Sequence, residues 1–187
     1  MNKSIAKKIL LVLALVVIAV SWRIINNNYT IAPNLELVTT VSVIGALILG
    51  IKFAILIPFL TMIISDCLIG NSEIFIFTWS AFIIIGISAT ILRKFNNSPK
   101  KQVLYSGGFA VIASFLFFLI TNFGVWAQGW YPATLAGLVD CFVLAIPFYR
   151  TMLVGNLIFV PSAVAIWQLV RIRMSAKNSI VNTLVSN

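Results

Sequence analysis

Residues 35–65 read "LELVTTVSVIGALILGIKFAILIPFLTMIIS". Two apolar runs, 35–50 and 52–65, meet at "LGIK", where Gly50 and Lys52 are the interruption. Joined, they make one long helix. Split, they make two helices, each short against the roughly 20 residues that a bilayer crossing takes. The choice decides on which side of a membrane every later loop lies, and so decides the fold.

That a membrane is involved follows from composition. Of the 187 residues, 61% are hydrophobic and 9% are charged, whereas a soluble domain is about half apolar and about a quarter charged. The remaining apolar runs are 8–24, 74–92, 103–123 and 148–170. Runs of this length and purity point to membrane spans. The expected protein is an all-α integral membrane bundle forming one domain, 1–175, with a polar tail at 176–187. A net charge of +9 would suggest nucleic acid in a soluble chain. Here the Lys and Arg flank apolar runs rather than form a stripe, which argues against that partner. Lys3, Lys7 and Lys8 followed by "ILLVLALVVIAV" resemble the opening of a signal peptide, and "AVS" at 19–21 could pass as a cleavage site. The run continues through Trp22, so a retained first span is the expectation.

Charge placement settles the "LGIK" question. With six spans and the N-terminus inside, Lys3, Lys7, Lys8, Lys52, Arg93, Lys94, Lys100, Lys101, Arg171, Arg173 and Lys177 fall inside. Only Arg23 and Arg150 fall outside, eleven against two. Cytoplasmic loops collect Lys and Arg. Fusing the two runs moves "RKFNNSPKK" (93–101) outside and destroys the asymmetry. Six spans with both termini cytoplasmic and a tight inner turn near Gly50 are therefore expected. The segment 132–146, bounded by Pro132 and Pro147, is expected as an extra short helix before the last span. Pro132 would sit near its first turn, and Ile146, preceding Pro147, would be biased away from helix.

All four acids (Glu36, Asp66, Glu73 and Asp140) then lie at outer ends or in outer loops. Carboxylates contribute little to orientation, so an outward-facing polar pocket is one explanation and chance is the other. Asp66 either faces a cavity or sits in headgroup water at the end of its helix. Arg150 either anchors a ligand, pairs with Asp66 or Asp140, or snorkels to the headgroups. Trp126, Trp130 and Tyr131 could stack on a flat ligand or form an aromatic belt. Asn34 and Asn122 could hydrogen-bond a ligand or cap helices. Cys67 and Cys141 each follow an Asp, and could form a disulfide, hold a soft metal or pack as small apolar residues. Gly107, Gly108, Ala110, Ala113 and Ser114 give a small-residue face suited to close helix contact.

Two Cys and no His do not support a zinc site. No GxxxxGK[ST], HExxH or GxSxG occurs. An enzyme is not expected, nor is a cofactor.

Several motifs carry a family likeness. "APNLELVTTVSVIGALILG", "LIPFLTMIISDCLIG" and "TNFGVWAQGWYPATLAGLVDCFVLAIPF" resemble an uncharacterised bacterial membrane family similar to the substrate-binding S components of energy-coupling-factor (ECF) vitamin transporters. "AIPFYRTMLVGNLIF" (145–159) is similar to the segment that opens their last span. The likeness covers roughly residues 20–160. It implies a six-helix bundle in a bacterial cytoplasmic membrane that takes up a small nutrient, a vitamin such as cobalamin being one example. The implied partners are a transmembrane coupling subunit and two ATPases. The implied pocket residues are Asn34, Asp66, Asn122, Trp126, Tyr131 and Arg150, with Asp140 beside them. A solitary cobalamin-binding S component uses a Cys to ligate cobalt, but neither Cys67 nor Cys141 aligns to it. Many S components also carry Ala-x-x-x-Ala on the first span for docking. Here Ile18 stands four residues after Ala14, and Ala19 is out of phase. That departure leaves a solitary protein open, and a non-transport scaffold or assembly subunit is the alternative.

Overall fold

The computed structural model describes the backbone of residues 3–70 and 73–185 and the side chains of 4–70 and 73–176. Seven α-helices follow one another: α1 (Lys3–Tyr29), α2 (Val38–Leu49), α3 (Ile51–Ile69), α4 (Phe75–Ala89), α5 (Pro99–Ala127), α6 (Leu135–Leu144) and α7 (Ile146–Val185). A 3₁₀ turn, Thr90–Phe95, extends α4. No strand occurs among the described residues.

The chain does break at "LGIK". Gly50 ends α2 and starts α3 with φ 93° and ψ −172°, a backbone state that a Cβ disfavours. After this one-residue reversal α3 returns along α2, with Ile57 and the Phe53 carbonyl against Gly45. The two runs become different kinds of helix. α3 spans 19 residues. α2 has 12 residues, with Val38 through Leu47 all buried; a helix apolar all round belongs in the interior. It packs against α1, α3, α4 and α7 and forms the axis of the bundle.

Among the described residues, five helices are long and apolar enough to cross a bilayer: Ser4–Tyr29, Ile51–Ile69, Phe75–Phe95, Pro99–Ala127 and Ile146–Ala176. At about 18 Å by its rise, α2 falls short of the roughly 30 Å hydrocarbon layer. The expected span at 35–50 is therefore a sheathed inner helix rather than a sixth long one.

Two prolines sit inside helices, Pro58 in α3 and Pro161 in α7. A helical proline leaves the carbonyl four residues earlier without its donor, here that of Ala54. Gly86 of α4 lies on that carbonyl so closely that a Cβ would collide with the oxygen. The small residue lets two backbones meet where a hydrogen bond is missing.

One end of the bundle is basic. There Arg93 Nη1 approaches Gly50, and the Gln102 amide donates to Leu92 O (2.8 Å) and Asn96 Oδ1 (2.7 Å). Gln168 of α7 bonds Gln102, and Arg171 donates to Asn96 O. These bonds fasten the 93–98 connection to α5 and α7. Lys3 and Lys177, both counted at this end, have side chains outside the described residues.

Some expectations are corrected. α6 begins at Leu135, capped by Thr134, whose Oγ1 accepts from Gly137 N (3.1 Å); Pro132 therefore precedes the helix instead of sitting in it. α7 starts at Ile146, ahead of Pro147, because proline is tolerated in a first turn; Ile146 is helical, not extended. The backbone of the expected tail continues α7 as far as Val185.

Candidate functional site

At the end of the bundle opposite the basic one, the helices splay around a cavity of about 680 Å³. Ligand sites typically measure about 300–1,000 Å³. Its walls come from nearly every element. α1 contributes Arg23, Asn26 and Asn27, and the 30–37 segment contributes Asn34, Leu35 and Glu36. Phe82 of α4 and Phe117, Phe118, Thr121 and Asn122 of α5 form the deeper wall. Cys141, Leu144, Phe148, Tyr149 and Met152 come from α6 and α7, with Trp130 and Tyr131 at the rim.

The 30–37 segment is irregular but held. Thr30 and Asn34 take positive φ (48° and 59°). Asn26 brackets the segment, donating to Ala32 O (2.9 Å) and Leu35 O (3.1 Å) and accepting from Ala32 N (3.0 Å). Trp22 Nε1 adds a bond to Leu35 O (2.9 Å). Glu36, 7% exposed, then caps α2 by accepting from Thr39 N (2.8 Å). The 128–134 loop is also tied down: Trp126 Nε1 donates to Pro132 O (3.1 Å), and Trp130 Nε1 donates to Glu73 Oε2 (3.0 Å).

The structure brings together only part of the expected set. Asn34, Asn122, Tyr131 and Cys141 line the cavity; Asp66, Trp126, Asp140, Arg150 and Cys67 do not. One reading of Arg150 made it a partner of Asp66. Instead, Asp66 Oδ1 pairs with Arg23 Nη2 at 2.7 Å, the only salt bridge among the described residues. Arg23 Nε also donates to Ser65 Oγ (2.7 Å), and Trp79 Nε1 donates to Asp66 Oδ2 (2.7 Å). Asp66 thus braces a cavity residue from behind. Arg150 and Asp140 are exposed. Each neighbours a lining residue, Tyr149 and Cys141, and one step along a helix turns a side chain by about 100°. Trp126 clamps the loop rather than facing a ligand.

Asn122 Nδ2 donates to Phe118 O (2.7 Å), and the Asn122 carbonyl accepts from Cys141 Sγ (3.3 Å). Both cysteines are free, Cys67 exposed and Cys141 buried, so the disulfide alternative is removed. Burial pushes the Cys141 thiol up, which leaves it a packing group rather than a nucleophile. No group of three His, Cys, Asp or Glu side chains placed to hold a metal occurs among the described residues.

Sequence reasoning missed Arg23, Asn26 and the wall of Phe82, Phe117 and Phe118. Arg23 carried a signal, being one of two cations at the wrong end; the phenylalanines carried none among 14. No curated protein matches this chain, and no solved structure does. Residues 3–178, nearly the whole chain, match DUF6580, a family of unknown function, and the chain belongs to that family.

Proposed function

We propose that this protein binds a small nutrient at the outer face of a bacterial cytoplasmic membrane and serves its uptake. The observation that carries this reading is the cavity itself: about 680 Å³, walled by aromatic rings and polar side chains, at the end remote from the Lys and Arg cluster. Basic ends stay cytoplasmic, so the cavity faces outward and both termini lie inside. In that frame α2, lengthened by the 30–37 segment, makes the sixth crossing of an S-component-like bundle. Non-helical backbone is tolerated at membrane depth where protein or a cavity covers it, as it does here.

Binding is the proposed role rather than catalysis. Phe82, Phe117, Tyr149 and the rim residues Trp130 and Tyr131 offer stacking surface, while Asn26, Asn34, Thr121 and Asn122 offer directional hydrogen bonds. The energy for uptake comes either from an ECF-type coupling subunit with its ATPases or from another source. The α1 surface around Ala14 and Ile18 is exposed, but it lacks the small-residue spacing that S components use for docking.

The test is mass spectrometry of small molecules released on denaturing the protein purified in mild detergent. A defined compound should appear, and Asn122→Ala and Tyr131→Ala should each reduce its recovery at least about tenfold, the loss of one good contact. Release of nothing, together with thermal stability unmoved by any of a panel of vitamins, would count against the reading and leave the scaffold alternative.

A further inference from the structure

We propose that a dehydrated monovalent alkali cation binds beneath the cavity floor, on Glu36, Thr39 and Asn156. Its role as the ion that drives uptake rests on the function proposed above; the site itself does not.

The cavity lining ends at Phe117 and Met152. About one helical turn deeper, on the same faces, stand Ser114 and Asn156. The side chains of Thr39 and Asn156 face the Glu36 carboxyl. Each of the three residues is at least nine-tenths buried. The bonds can be followed atom by atom. Glu36 Oε2 accepts from Thr39 N (2.8 Å). Asn156 Nδ2 donates to Ser114 Oγ (3.1 Å), whose own proton goes to Ala110 O (2.8 Å). Glu36 Oε1, Thr39 Oγ1 and Asn156 Oδ1 are left without a partner. Three oxygens with acceptor lone pairs therefore share two unspent donors, the Thr39 hydroxyl and the second N–H of Asn156, and neither carries the positive charge that balances a carboxylate. Buried polar atoms are normally paired, and a buried carboxylate normally meets a cation.

Among the described residues no side-chain cation pairs with Glu36. Arg23, the one lysine or arginine of the lining, is engaged by Asp66 and Ser65. Arg150 is exposed. The unpaired oxygens are covered from solvent, too enclosed for a bulky organic ammonium group. A bare alkali ion is the occupant that this charge and burial favour. One carboxylate balances one positive charge, whereas divalent calcium sites gather more oxygen ligands. Carbonyls of the unwound 30–37 segment lie next to the cluster in sequence and are the kind of group that completes such sites in ion-coupled transporters. The hydroxyls of Thr40 and Thr61 are also unpaired. Residue 40 is turned about 100° from residue 39 on α2, so the site does not include it.

The test is thermal unfolding of the full chain in detergent at constant ionic strength, comparing sodium, potassium and choline chloride. Saturating sodium or potassium should raise Tm by about 3–6 °C over choline. Glu36→Gln should abolish the rise. Thr39→Val, which keeps the carboxyl and the volume, should weaken apparent cation affinity at least about tenfold, and it reports on the site if Glu36→Gln fails to fold. Equal Tm in all three salts overturns the site, and means that the Thr39 hydroxyl and the second N–H of Asn156 satisfy the Glu36 carboxyl without an ion. A rise that survives in full in the variants also overturns it. Because this readout needs no organic ligand, it can fail while a released nutrient is still found, or succeed when none is.

Discussion

Removal of the Asp66 carboxylate is the sharpest test of how the cavity wall is built. Asp66→Ala strands two donors. The Arg23 guanidinium loses its 2.7 Å partner, and the Trp79 indole loses its own. The side chains of Arg23 and Asp66 are 20% and 8% exposed, so water replaces little of what is lost. Breaking one side of a buried pair costs about 3–5 kcal/mol, because the remaining charge is left uncompensated. Arg23 keeps Ser65 Oγ and some solvent, which places the expectation near 3 kcal/mol, the low end of that range. For a chain of this size Tm should fall about 6–12 °C. The control is the double variant Arg23→Met, Asp66→Ala. With the stranded charge gone, it should recover at least half of the lost Tm although two polar groups have been deleted. Thermal unfolding in detergent, followed by tryptophan emission, measures both, and Trp79 lies at the site. A single-variant shift below about 2 °C, or a double variant worse than the single, would show that the pair does not brace α1 against α3.

Two further outcomes follow from the geometry. Gly86→Ala places a methyl group against the Ala54 carbonyl, and backbone there cannot yield as a flexible side chain would. Overpacking of about 1–3 kcal/mol should lower Tm by about 2–12 °C, whereas Gly107→Ala, with open space around it, should be near neutral; equal effects would refute the contact. In the folded protein, Cys67 should take up a maleimide at least about tenfold faster than Cys141, since one thiol is exposed and the other is buried and held protonated. Equal rates would mean that Cys141 of α6 is not packed against Asn122 of α5.

Much of the fold was legible in the sequence because it depends on local signals. Gly50 beside Lys52 marks a reversal, and the positions of Lys and Arg sort the loops into two ends. The four acids Glu36, Asp66, Glu73 and Asp140 do collect at the cavity end, Asp140 on α6 with its side chain exposed. Long-range pairing was not legible. Nothing local links Arg23 to Asp66, 43 residues away, so Arg150 was weighed as a partner for Asp66 and Arg23 was not. Register explains the other misses: Asp140 and Arg150 each stand one step from a lining residue, and a single step decides the facing of a helical side chain. The enclosure of α2 was not legible because an apolar run looks the same whether lipid or protein surrounds it.

That last point bears on how the chain is made. A segment of 12 residues is too brief for the insertion machinery to release it sideways and for hydrocarbon to retain it alone. The one-residue reversal at Gly50 joins it to α3, so the two enter as a single hairpin, with α3 supplying the retention. Until α4 and α7 arrive, α2 has only α1 and α3 beside it. Assembly of this molecule therefore passes through a stage in which its future axis is covered on part of its circumference, and truncation after α3 should yield a product that quality-control proteases remove.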